Sequence, residues 1–134
     1  MRGQITLFDI SFESKQTELK NILKELEMNI REIEAAAVVS IEGLPIAASL
    51  PDDIEETMLA AMTASMLSLG ERVSQELKRG NLEKIFVEGS NGFVISTAAG
   101  PNAVLAVSAR KDAKLGLIFL DMQQAAQKIA QLLS

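Results

Sequence analysis

The 134-residue chain predicts an α+β fold of order α-ββ-α-βββ-α, a five-stranded antiparallel sheet with helices on both faces. Three observations predict it. Apolar residues recur at helical steps in three long segments. Between those segments lie short Val-, Ile- and Ala-rich runs punctuated by Gly, Pro and Asn. The links within each group of runs are too short for parallel crossovers, so neighbouring strands pair antiparallel.

Residues 1–13 form an N-terminal extension ahead of the domain proper, 14–134. Its "ITLFDISF" reads as a short strand or as an arm on the core. A helix follows over about 14–34, because Leu19, Ile22, Leu23, Leu26, Ile30 and Ile33 recur at three- and four-residue steps. Lys15, Glu18, Lys20, Lys24, Glu27 and Arg31 supply its solvated side. "AAAVVSIE" (Ala35–Glu42) and "PIAASL" (Pro45–Leu50) then read as strands joined by the turn Gly43-Leu44-Pro45. Pro45 removes one backbone donor, which a strand start tolerates.

Pro51-Asp52-Asp53 opens a central helix over about 53–79. Asp52 or Asp53 can cap its free amides, and Glu55 and Glu56 complement the positive end of its dipole. Lys78 and Arg79 complement the other end, and Gly80 is a natural terminator. "LEKIFVEG" (Leu82–Gly89) and "FVISTAAG" (Phe93–Gly100) form a hairpin through Ser90-Asn91-Gly92, since Asn-Gly favours the tight hairpin turn. "AVLAVSAR" (Ala103–Arg110) follows the turn Gly100-Pro101-Asn102. A helix over 113–133 closes the chain, with Leu115, Ile118, Phe119, Met122, Ala126, Ile129 and Leu133 on one stripe. "LGLIFL" alone also fits a strand, but the periodicity beyond it favours one continuous helix.

Composition removes several function classes. Hydrophobic residues make up 48% and charged residues 23%, the balance of a globular domain. The net charge of −5, from 18 acidic and 13 basic residues, disfavours nucleic acid. No polybasic run points to a membrane surface, no secretory signal is visible, and no apolar run is long enough to span a bilayer. With no Cys and no His, disulfides, Cys/His metal sites and His-dependent nucleophiles are excluded. The absence of Cys fits a reducing cytoplasm. No phosphate-binding loop, dinucleotide fingerprint or nucleophile elbow occurs. Asp52, Asp53, Glu55 and Glu56 read as helix-start residues rather than as a metal cluster. The serines lack an activating base, and Arg72, Arg79 and Arg110 have no setting that marks an arginine finger. The chain is therefore expected to be no enzyme, with no catalytic, cofactor or metal site.

The uncharged run Thr57–Gly70 carries more apolar surface than one core contact uses. Ile54, Met58, Met62, Ser65, Met66, Leu69 and Val73 make a stripe sufficient to pack on the sheet. Leu59, Ala60, Thr63, Ala64, Leu67 and Gly70 fall on roughly the opposite side, where a helix outside a single sheet should be polar. Either another helix of the chain covers them, or a second subunit or partner does.

As an ordered set, these segments resemble the Roadblock family, which includes a dynein light chain, the bacterial gliding-motility GTPase regulator and lysosomal adaptor subunits. The resemblance rests on "AAAVVSIEGLPIAASLPDDIEETMLAAMTASMLSLGERVSQEL", on "IFVEGSNGFVISTAAGPNAVLAVSAR" and on "KDAKLGLIFLDMQQAAQKIAQLL". It covers about residues 17 to 133; Glu42 stands where many members carry Asp or Asn. It implies a profilin-like fold and a homodimer whose third strands pair while the central helices lie side by side. Leu59, Ala60, Thr63, Ala64, Leu67, Gly70, Ile85 and Val87 then become the expected dimer or partner interface. It also implies a cytoplasmic, non-enzymatic platform or regulator for a small Ras-like GTPase, with no catalytic residues to carry over. A structural adaptor without effect on nucleotide turnover and a small-molecule sensor stand as alternatives.

Overall fold

The computed structural model describes residues 7–134, with side chains from Glu13 onward. The order is α1 (Leu7–Asn29), β1 (Ile33–Ser40), β2 (Pro45–Ser49), α2 (Glu56–Glu76), β3 (Lys84–Gly89), β4 (Gly92–Ala98), β5 (Ala103–Arg110) and α3 (Leu115–Leu133). The five strands make one sheet in the order β2-β1-β5-β4-β3, and every pairing is antiparallel. The two groups of strands therefore join through the central β1–β5 pair, which leaves β2 and β3 as edges.

Side chains alternate across the sheet, so each strand feeds two different layers. Val38, Leu105, Val107 and Ile95 point to the layer of α1 and α3, where Leu19, Leu23, Leu26, Ile118, Met122 and Ile129 meet them. Burying a side chain of this size stabilises the fold by about 1.5–3 kcal/mol. The intervening residues Ala37 and Val39 face the other layer, where Ala60 of α2 covers them. The expected layered architecture holds, and Leu115–Leu120 belongs to α3 rather than to a sixth strand.

Two boundaries differ from the sequence reading. The stretch "ITLFDISF" is helical from Leu7 onward, and its earlier residues lie outside the described ones. No Pro or Gly occurs within Leu7–Asn29, so nothing interrupts the helix ladder there. At the other end α1 stops at Asn29, and Ile33 begins β1 instead of ending the helix. Ile33 stays in the core all the same, with Arg110 N–H donating to the Glu32 carbonyl at 2.8 Å to extend the β1–β5 ladder.

Candidate functional site

The start of α2 is set by Glu55, whose carboxylate accepts the Met58 N–H at 2.5 Å. The expected caps Asp52 and Asp53 sit three and two residues too early, in the turn before the helix. Its last turn is closed by Arg79 N–H donating to the Ser74 carbonyl at 2.7 Å and by Ser74 Oγ donating to the Gly80 carbonyl at 2.7 Å. Lys78 (φ 59) and Gly80 (φ 86) take left-handed conformations there, so the helix ends before the expected Arg79.

Between these ends α2 crosses the sheet obliquely. Its first half rests on β1 and β2, where Ala60 packs on Ala37 and Val39. Ala64 lies beside the β1–β2 turn, 3.5 Å from where a Cβ on Gly43 would stand. Its second half reaches β3. A Cβ on Gly70 would lie 3.1 Å from both Ile85 Cδ1 and Leu82 Cδ2.

This seating reverses the expected faces of α2. Ala60, Thr63 and Leu67 are buried against the chain's own sheet, Leu59 and Ala64 are half-buried, and Gly70 sits against Leu82 and Ile85. Ala60 and Thr63, both fully buried, have no surface left for a partner. The stripe expected to face the core is the exposed one, with Met58, Met62, Leu69 and Val73 each about half exposed or more. The cause is size. The sheet presents small residues toward α2, including Ala37, Ala48, Ser96 and Ala106, and small residues on the helix let the two backbones approach closely. The signal lay in alternate positions of "AVLAVSAR", where Val104, Ala106 and Ser108 face α2 and Leu105, Val107 and Ala109 face the other layer.

Of the eight expected interface residues, the sheet edge supplies Ile85, half-buried, and Val87, exposed. Both point to the α2 side of β3, since they pair with Ser96 and Val94. Together with Met66, Leu69, Val73 and Leu82 they line a groove of about 490 Å³, with Arg79 and Lys84 at its margin. The outer side of β3 is a free edge whose backbone groups lack a strand partner. Nearer the start of α2, a second apolar hollow of about 270 Å³ lies between Ile54, Met58 and Met62 above and Ala35, Val94 and Ala106 below. The molecule therefore carries two apolar hollows along one side of α2, one near the acidic helix start and one at the edge strand.

Among the described residues, no group of three His, Cys, Asp or Glu side chains is placed to hold a metal ion. Among the same residues no helix is long and apolar enough to cross a membrane. Among the described residues two hydroxyls, Thr63 Oγ1 and Ser96 Oγ, are buried without a hydrogen-bond partner, and both lie in the α2–sheet layer.

Residues 19–109 match the model of the Roadblock/LC7 domain. An uncharacterized protein of Methanocaldococcus jannaschii is 35% identical over 105 residues, which cover 78% of this chain and 91% of that protein. Among solved structures, MglB in a tetrameric arrangement superposes with a TM-score of 0.82 at 19% identity, over 89% of this chain and 90% of that one. The gliding protein MglB of Thermus thermophilus gives a TM-score of 0.79 at 18% identity, over 98% and 97% of the two chains. Profilin II of Acanthamoeba castellanii gives 0.62 at 11% identity, over 84% and 97%. At these identities the solved structures establish a shared, profilin-like fold.

Proposed function

The chain belongs to the Roadblock/LC7 family, and from that premise we propose that it is a non-enzymatic homodimeric platform that regulates a small Ras-like GTPase in the cytoplasm. The observation that carries this reading is the apolar flank of α2 lying beside a free edge strand. A two-fold axis beside β3 extends the sheet through the β3 edges and brings Leu69, Val73, Ile85 and Val87 of the two copies together. Burial of that flank removes apolar surface of a kind that monomers rarely leave contiguous. The outward surface of the paired α2 helices is then one continuous bed across the axis, wide enough for a single client.

The chain brings no phosphate-binding loop and no histidine to a client's active site. Any change in GTP turnover therefore comes from ordering or displacing the client's own switch loops. That requires different affinities for the client's conformations, because equal binding to all of them shifts nothing.

A pull-down from native cell extract, with and without a GTP analogue, identifies the client. Calorimetry then measures its affinity in the two nucleotide states. Regulation predicts unequal affinities that charge reversal on the exposed α2 surface abolishes. Equal affinities with no effect on hydrolysis or exchange reject regulation and leave a structural adaptor built on the same surface.

A further inference from the structure

We propose that the cleft between α3 and the β3–β4 hairpin binds a small monocarboxylate with an apolar tail. The tail lies on the apolar floor of the cleft, and the carboxylate meets the Lys84 ammonium. The proposal stands apart from the platform reading, because the cleft opens on the other face of the sheet.

Strand alternation decides that face. Lys84 pairs with Thr97, and Thr97 with Leu105, whose side chain belongs to the layer of α1 and α3. The Lys84 ammonium accordingly sits over Phe119 of α3. Ile85 and Val87, the strand residues assigned to the homodimer, point the opposite way. A homodimer closed over the α2 flank therefore does not fill the cleft.

The cleft encloses about 600 Å³, the size of a small-molecule site. Its floor is apolar, because Ile95 and Met122 line it and are buried there. Phe119 forms a wall, and Phe86 meets that ring edge-on at 6.3 Å. Leu120 also lines the cleft while half exposed to solvent.

The polar groups are few. Lys84 is the one cation of the lining, with its Nζ 5.2 Å from the centre of the Phe119 ring. Among the described residues it has no carboxylate partner, whereas Lys111 is held by Glu88. Gln123 on α3 brings amide N–H donors. Thr97 Oγ1 spends its hydrogen on the Glu83 carbonyl at 2.9 Å. In a chain of net charge −5, an ammonium without a carboxylate beside an apolar floor is a local exception. One ammonium and one amide match one carboxylate. A phosphate ester needs more, and the lining offers no second cation and no glycine-rich loop. An amine meets Lys84 as a like charge.

The test uses the full chain, with octanoate as the probe and octylamine as its cationic counterpart. Binding is followed by the methyl NMR signals of Met122 and Ile95. Octanoate should shift both saturably, leave Met58 and Met62 unmoved, and bind at least about tenfold more tightly than octylamine. Lys84→Gln should weaken octanoate about tenfold, the loss of one charge-assisted contact. Lys111→Gln, which lies outside the lining, should leave the affinity unchanged. Glu83→Gln should tighten binding, because a neighbouring carboxylate opposes a second one. Leu120→Glu, at another exposed position, should abolish saturable binding for the same reason. Circular dichroism shows that the variants are folded. No saturable shift, equal affinity for the two probes, equal losses at Lys84 and Lys111, or shifts confined to Met58 and Met62 overturn the proposal. Sedimentation of the same samples keeps the two readings apart. A monomer that binds octanoate at Met122 supports the cleft and rejects the platform; a dimer that ignores octanoate does the reverse.

Discussion

Thr63 and Ser96 each bury a hydroxyl that has no hydrogen-bond partner among the described residues, in the layer where Ala37, Val39 and Ala60 pack. A threonine inside a helix ordinarily returns its hydroxyl to the carbonyl four residues earlier, and here it does not. Leaving a buried polar group unpaired costs about 1–3 kcal/mol. Thr63→Val keeps the side-chain shape and removes that cost, and Ser96→Ala does the same on the strand. Each variant should unfold at a higher temperature than the wild type, by about 1 kcal/mol of stability. A clear loss in thermal denaturation would mean that the hydroxyls are satisfied in solution. The residue scale is also where the sequence was least legible. Ala60 and Thr63 are uncharged and small, and periodicity alone cannot say whether such a face meets the chain's own sheet or another molecule. Only the size of what lies opposite decides it, and that depends on which strand residues point toward α2.

At the scale of elements, the sequence was informative wherever local chemistry sets the structure. Ser90-Asn91 makes the tight β3–β4 turn with Gly92 opening β4 opposite Gly89, and Gly100-Pro101-Asn102 makes the turn into β5. Ends were harder to place when two residues compete for one role. Four acidic residues surround the start of α2, and only the geometry of the turn selects Glu55 over Asp52 and Asp53. Glu55→Ala should therefore destabilise the protein by about 1 kcal/mol, the usual worth of a helix cap. Asp52→Ala and Asp53→Ala should change stability by less than about 0.5 kcal/mol, as exposed substitutions do. Urea denaturation of the three variants checks the ranking, and an equal loss at Asp53 would move the cap. The end of α1 was misplaced for a related reason. Ile30 and Ile33 fit the helical stripe and are buried, yet Ile33 reaches the same core from a strand.

For the whole molecule, the layer order and the antiparallel sheet follow from alternating periodicities and short links, which is why the fold was legible. The exposed apolar surface was legible only in part. Ile85 and Val87 lie on the edge strand as expected, while on α2 it is the methionine-bearing flank, not the small-residue face, that is exposed. The distinction changes which substitutions test assembly. A charge at Leu67 enters the buried layer beneath α2 and attacks folding itself. A charge at Leu69 or Val87 stands at the exposed apolar flank and leaves that layer untouched.

The central claim is that this flank and the β3 edge join two copies of the chain. Analytical ultracentrifugation tests it most directly, on the wild type and on Leu69→Arg and Val87→Arg, with circular dichroism to show that the variants remain folded. The wild type should sediment as a dimer at tens of micromolar, roughly the range in which a standard-size interface is occupied. Each arginine variant should sediment as a folded monomer. A wild-type monomer at that concentration, or variants that remain dimers, would contradict the account.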